Sequence, residues 1–366
     1  MKKSEITLRQ FILLIHGTQV GTGVLSLPRM LAETAGTDGW ISIIFGWIIN
    51  LVLGIVIVWV MAQYPHVTFP QLLTRLFGKF IAALVIIALL CNFALSSWSI
   101  FADAMLYIKA WFLPMTQTPI IMCLFIVPAL LTAKKSMLVV AQYNEFVFFF
   151  TLWMPLIMLF PLVEAQHIHL LPVLKEGWVP VLKGVDNTTV SFIGNEIIFL
   201  VYPFLKKKET AVYGVMIGNT LTMLLYLFVT LISFAYFSPD EVTQYSQPVL
   251  NLLKVVEFRF LERIDVIFLA LYLFVVSTSW VPYVHSTGIC AAQLVKSNNH
   301  SPFVLTFGVL IILLSAWIEP SWQQSTQWMN WCKYSGLIVA YLLPIILMLY
   351  IKAIQLMPGR SKRSEV

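Results

Sequence analysis

The sequence predicts an all-α integral membrane protein of about ten transmembrane helices, arranged as two inverted halves of five. Three observations predict it. Apolar residues make up 59% of the 366-residue chain and charged residues 11%, against about 25% charged in an average soluble domain. Apolar runs of about twenty residues, each long enough to cross a bilayer, recur along the whole chain. The first run of each half is interrupted by glycine and proline.

The ten runs lie at about 11–32, 40–63, 81–109, 118–133, 141–163, 190–205, 212–237, 265–295, 303–319 and 335–352. No soluble domain of useful size fits between them. Residues 1–366 therefore read as one transmembrane domain, with a first half at about 9–163, a second at about 187–352 and a tail at each end. An odd number of spans per half gives the halves opposite orientations. The segment "MKKSEITLRQ" is short and polar, with no small-residue cleavage site after an apolar core, so it reads as no removable signal.

The positive-inside rule orients the chain. With the N-terminus inside, the inner segments hold Lys2, Lys3, Arg9, Arg75, Lys79, Lys134, Lys135, Lys206, Lys207, Lys208, Lys296, Lys352, Arg360, Lys362 and Arg363. The outer loops are mixed or acidic, with Glu33, Asp38, Glu164, Glu176, Asp186, Asp240 and Glu241. The formal charge of +6 is thus topological, makes no case for nucleic acid, and places both tails on the cytoplasmic side. Cys91, Cys123, Cys290 and Cys332 are scattered, with no metal or disulfide spacing.

Among the outer connections, 164–189 reads as a long loop containing Pro172 and Pro180. Residues 248–263, "PVLNLLKVVEFRFLER", space apolar residues helically, with Lys254, Glu257, Arg259 and Glu262 between them. That is the pattern of an amphipathic surface helix, either a lid or simple packing. Trp40, Trp111, Trp178, Trp322, Trp328 and Trp331 suit an outer aromatic belt or loop packing.

The first span carries "GTQVGTGVLSLP" and the sixth "SFIGNEIIFLVYP". Interrupted spans at matching positions of two halves point to a transporter-type binding site. Unwound backbone survives at membrane depth only where protein buries it or water reaches it. A helix N-terminus beyond such a break favours an anionic group. Gly17 and Gly21 also form GxxxG, a helix-packing pattern.

Glu196 lies in an otherwise uncharged span beside Gly194. An ionisable group at that depth is costly and marks a site or relay. Its partners are expected among freed backbone N–H groups, Asn195, and the hydroxyls of Thr18 and Thr22. The third span offers Ser96, Ser97 and Ser99, with Phe93 one turn before Ser97. The eighth offers Ser277, Thr278 and Ser279, with Tyr283 four residues after Ser279 on the same face and Pro282 bending the backbone. Such hydroxyls either line a cavity for a small polar solute or glue helices together. His16 reads as a satisfied core histidine, Arg29 pairs with Glu33, and Glu145 sits near an inner end. Nothing resembles a nucleophile–base pair, a phosphate loop, a cofactor motif or a metal cluster, so catalysis is not expected.

"VGTGVLSLPRMLAETAGTDGW" (20–40) resembles the first helix and outer loop of spore germination receptor B subunits, the GerAB-type permease family. "SFIGNEIIFLVYPF" (191–204), "FLERID" (260–265) and the lysines after the sixth span are similar to that family as well, and the resemblance covers about residues 5–355. It implies membership of the amino acid–polyamine–organocation superfamily and a LeuT-like 5+5 inverted repeat with broken helices 1 and 6. It implies a place in the spore inner membrane, an A subunit and a C lipoprotein as partners, and a small-molecule germinant, an amino acid foremost. The implied pocket takes Thr18, Gly21, Thr22 and Gly23 from helix 1, and Phe93 and Ser97 from helix 3. It takes Ile193, Gly194, Asn195 and Glu196 from helix 6, and Thr278, Ser279 and Tyr283 from helix 8. Asn195, apolar in relatives, hints at a more polar ligand. Three classes compete: a sensor, a proton-coupled amino acid transporter using Glu196, and a ligand-gated pathway for ions or solute.

Overall fold

A computed structural model describes residues 5–256 and 263–356 of the chain. Helices account for nearly all of it; the extended pairing among the described residues is a single parallel bridge between Ile6 and Leu205.

The first span is two helices, α1 (Leu8–Gln19) and α2 (Leu27–Ala35), joined by a tight turn at Thr22–Leu25. A capping box starts α1: the Thr7 hydroxyl accepts from the Gln10 N–H, and the Gln10 side chain accepts from the Thr7 N–H at 3.0 Å. The helix stops where Val20 turns extended, with ψ 95°. Pro28, in the first turn of α2, needs no N–H partner and restarts the helix.

Next come α3 (Gly39–Ala62), α4 (Phe69–Trp111), α5 (Thr118–Ala133) and α6 (Met137–Thr151), whose chain continues irregularly to Val163. Gly78, at φ 78° and ψ 173°, breaks α4 near its start, shortly before the third span that the sequence begins at about 81. The sixth span again has two parts: α7 (Trp178–Phe192), then a turn at Asn195–Ile197 leading into the short α8 (Ile198–Val201). The remainder is α9 (Ala211–Tyr236), a short helix at Pro239–Gln244, α10 (Pro248–Lys254), α11 (Ile264–Leu294), α12 (Ser301–Trp317), α13 (Trp322–Gly336), a π-helical segment at Leu337–Leu342, and α14 (Leu343–Leu356).

In chain order these elements match the ten expected spans. Six helical stretches among the described residues are long and apolar enough to cross a membrane, accompanied by shorter apolar helices at Thr118–Ala133, Asn195–Phe204 and Ser301–Trp317. Large apolar side chains point outward along them, such as Phe80 at 77% exposure and Phe146 at 63%. A soluble surface does not carry so extensive an apolar face.

Two expectations need correction, and a third is seen only in part. Residues 178–189 are helical, so the loop ends near Gly177; this stretch is too polar to register as apolar because Asp186 and Asn187 face partners, Lys333 and the Met30 carbonyl. Trp322, Trp328 and Trp331 belong to α13 rather than to a loop. The surface helix at 248–263 is seen as α10, which turns Val249, Leu250, Leu252 and Leu253 into the core; Glu257, Arg259 and Glu262 lie outside the described residues, as do Lys2, Lys3, Arg360, Lys362 and Arg363.

α1 packs among α6, α9 and α11, and α11 runs along α4. The N-terminal end of α1 is tied down on two sides. The Ile6 N–H donates to the Phe204 carbonyl at 2.9 Å, and the Lys206 N–H donates to the Ile6 carbonyl at 3.0 Å. Arg9 pairs with Glu145, which also accepts from Gln10 Nε2 at 3.0 Å. On α2 Arg29 pairs with Glu33 at 2.7 Å, as expected. Lys109 finds Glu319 at 2.5 Å, and that hydrogen bond and the lysine's charge hold the Glu319 carboxyl below its usual range.

Candidate functional site

The two broken spans meet at their breaks. The Gly194 backbone, at φ 138°, passes so close to α1 that a methyl group there would sit 2.9 Å from Gln19 Cγ and 3.1 Å from the Gln19 backbone nitrogen. That φ is one L side chains rarely adopt, so glycine is required twice over.

A buried polar network pins the crossing. Gln19 Nε2 donates to Asn219 Oδ1 at 2.9 Å, and the Thr222 hydroxyl donates to Gln19 Oε1 at 2.8 Å. The Tyr226 hydroxyl lies 2.9 Å from the Gln19 carbonyl and 3.0 Å from the Ser191 carbonyl, both freed at the two breaks. Asn195 Nδ2 donates to the Asn50 carbonyl at 2.8 Å, and Asn195 Oδ1 accepts from Asn219 at 3.1 Å. His16 Nδ1 lies 3.0 Å from the Thr222 hydroxyl, which satisfies it in the core as the sequence reading holds. Buried polar groups that satisfy one another in this way fix a unique geometry.

Glu196 is fully buried. Its Oε2 accepts from the Gly194 N–H at 2.9 Å, the freed backbone group expected of it. Its Oε1 accepts from the Tyr283 hydroxyl at 3.0 Å. The other expected partners lie elsewhere: the Thr18 hydroxyl donates to the Leu14 carbonyl, and the Asn195 side chain points into the network with α3 and α9.

Between the breaks lies a cavity of about 60 Å³. Of the residues singled out in the sequence, Thr18, Gly21, Thr22, Gly23, Ile193, Ser279 and Tyr283 line it. Six do not. Phe93 packs its ring against Tyr283 at 5.9 Å. Ser97 donates back to the Phe93 carbonyl at 2.8 Å. Gly194, Asn195 and Glu196 shape the break from behind, and Thr278 faces a different cavity across α1. The polarity of Asn195 is spent on the scaffold, which removes the ground for reading a more polar ligand from it.

Ser96 from α4, named in the sequence beside Ser97, joins the wall, together with residues that the sequence reading did not assign to the pocket: Gln19 and Ser191 at the breaks, Tyr226 from α9, and Met329 and Cys332 from α13. Ser96 carried a signal, since it stands in the same serine cluster as Ser97. Gln19 and Ser191 stand in the broken motifs themselves, whereas Tyr226, Met329 and Cys332 had no signal, because only long-range packing brings α9 and α13 here. The Thr22 and Ser96 hydroxyl oxygens are buried and make no well-directed hydrogen bond within the protein. The Thr22 hydroxyl interacts with the Asp103 carboxylate, and the Ser96 hydroxyl with the Cys332 thiol. Asp103 in turn accepts from the Ser325 hydroxyl at 2.9 Å.

Two broken helices crossing at a small cavity, braced by long unbroken helices, define a membrane protein of transporter-like architecture. Solved structures agree on the fold. A Na+-coupled sialic acid symporter, in a substrate-bound outward-open state, superposes with a TM-score of 0.70 over 96% of this chain and 80% of its own, at 10% identity. MhsT in complex with L-phenylalanine gives a TM-score of 0.63 over 94% and 98%, at 11% identity. The fold is therefore the LeuT-type five-plus-five arrangement with broken first and sixth helices. Within that class, residues 5–325 match the family model described as spore germination protein, and the chain belongs to that family. Its relatives include the spore germination protein YndE of Bacillus subtilis, 29% identical over 85% of this chain and 86% of the relative. GerQB of Bacillus cereus is 25% identical over 94% and 95%. Spore germination protein A2 of Bacillus subtilis is 24% identical over 94% and 96%.

Proposed function

We propose that this chain is the nutrient-sensing membrane subunit of a spore germination receptor, and that it binds a small germinant, an amino acid, where helices 1 and 6 unwind. The observation that carries this reading is the cavity between the two breaks, lined by Gly21, Thr22 and Gly23 of helix 1, Ile193 of helix 6 and Ser279 and Tyr283 of helix 8. A germinant carboxylate meets backbone N–H groups near Gly21–Gly23, and its ammonium meets carbonyls of the broken helices. Tyr283 touches the germinant, while Glu196 positions Tyr283 and holds the helix 6 break.

The cavity's 60 Å³ equals about two waters at roughly 30 Å³ each. An amino acid enters only if helices 1 and 6 move against the scaffold, and that movement is the signal. A ligand can bias such an equilibrium only by binding one state better than the other. The two halves, 9–163 and 187–352, supply the rocking bodies. An A subunit and a C lipoprotein in the spore inner membrane receive the signal, with both tails of this chain on the core side.

Spores carrying this subunit with its cognate partners are tested against amino acids, sugars and nucleosides, for the wild type and for Ser279→Val and Ser96→Ala. A dose curve for one ligand that moves with the pocket substitutions supports the reading. Curves that stay fixed at normal protein level place recognition elsewhere. A transport reading has one specific support, the buried Glu196 carboxylate at a helix break; net solute flux into vesicles holding the purified protein would establish it.

A further inference from the structure

Asp103 of α4 stands at the edge of the cavity between the breaks. Ser96 and Ile100 of the same helix line that cavity, and Asp103 follows them by seven and three residues, on the same face. Facing it, Met329 and Cys332 of α13 line the cavity, and Ser325, one turn before Met329, donates to Asp103 Oδ1 at 2.9 Å. The cavity-lining Thr22 also meets the carboxylate with its hydroxyl. Thr22 and Ser325 are buried, but Asp103 itself is partly exposed. A carboxylate has about four acceptor sites, so two hydroxyls leave it room for further donors. No lysine, arginine or histidine among the described residues forms an ion pair with it. The cations of the neighbouring elements are engaged elsewhere: Arg29 with Glu33, Lys109 with Glu319, Arg263 with Asp265 and Lys333 with Asp186. A carboxylate in a membrane-spanning helix is costly unless something pairs with it.

We infer, on the reading that this cavity takes the germinant, that Asp103 determines its specificity: it pairs with a cationic group on the germinant's side chain, and the germinant is an amino acid of the basic class. Charge decides for this class. With the germinant's carboxylate at Gly21–Gly23 and its α-ammonium on freed carbonyls, a neutral side chain would leave two carboxylates beside Thr22 with no cation between them. Like charges so placed repel. A second ammonium, or a guanidinium, satisfies both. Reach agrees. With a rise of about 1.5 Å per residue, Asp103 lies about 4.5 Å along α4 beyond Ile100, a gap that a flexible stem of the lysine kind covers.

The test compares L-lysine with L-norleucine, which has the same side-chain stem without the ammonium, as germinants of spores carrying this subunit and its cognate partners. The site predicts a dose midpoint for lysine about tenfold or more below that for norleucine, a comparison that needs no altered protein. Asp103→Asn, at a normal level on immunoblots, removes that preference: the lysine midpoint rises about tenfold, and the norleucine midpoint stays within about threefold. Equal midpoints in the wild type, or a preference that survives Asp103→Asn, overturn the inference. So does an equal rise for both ligands, which would assign the α-ammonium to Asp103. Ser279→Val separates this failure from that of the germinant reading. If spores answer neutral amino acids as well as basic ones and the curves still move with Ser279→Val, only the role of Asp103 falls; if they answer no amino acid, both fall.

Discussion

Four glycines stand at the two breaks, and they divide into two kinds. At Gly17 and Gly194 an added methyl would collide: with Asn144 Oδ1 at 2.4 Å in the first case, with Gln19 at 2.9 Å in the second. At Gly21 and Gly23 it would not. The nearest atoms are the Ser279 hydroxyl at 3.4 Å and the Ser191 hydroxyl at 3.8 Å, and φ at Gly21 is −117°, open to any residue. The first pair lets neighbours pack against the backbone, side chains at Gly17 and the α1 backbone at Gly194. The second pair keeps a hollow. GxxxG in helix 1 therefore joins two functions in one motif, packing at its first glycine and space at its second.

The comparison can be broken in graded steps. Gly194→Ala has the largest expected effect, since both φ and the Gln19 backbone forbid it; membrane-inserted protein should fall to a small fraction of wild type on immunoblots, and a normal level would refute the packing role. Gly17→Ala should also lower the protein level, but whatever assembles should keep its germinant dose midpoint. Gly21→Val reverses that pattern, with a normal level and a lost response; a lower level with a normal midpoint would make Gly21 a packing glycine.

Glu196→Gln sets an amide against two donors, the Gly194 N–H and the Tyr283 hydroxyl, and can accept well from only one. The dose midpoint should rise about tenfold or more at normal level, and adding Tyr283→Phe should cost less than the sum of the two single changes. Gly23→Ala is the smallest step, because its methyl has room; a shift within about threefold is expected, and a complete loss would mean the hollow is tighter at Gly23 than at Gly21.

Much of the site was legible in the sequence because its cause is local. Gly21, Gly23, Pro28, Gly194 and Pro203 interrupt apolar runs where a plain span has no use for them, and Glu196 is out of place for its depth. Ser279 and Tyr283 share a face by helical spacing alone, and both reach the cavity. Helix 178–192 was not legible, because its polar side is satisfied by partners far away in the chain. Nor was the use of Asn195, whose bonds run to α3 and α9.

The sequence by itself determined that the chain crosses a membrane about ten times, which helices break, and which family it belongs to. Those features follow from hydropathy, from the special backbone of glycine and proline, and from motif order. Only the tertiary structure decided which side of α1 each polar residue faces. It turned Thr278 and Ser279, neighbours in the chain, toward two different cavities. It gave Glu196 to Tyr283 and brought Ser96, Tyr226 and Cys332 to the breaks. A helix turns by about 100° per residue, so neighbouring positions look in different directions, and what they meet there depends on helices hundreds of residues away.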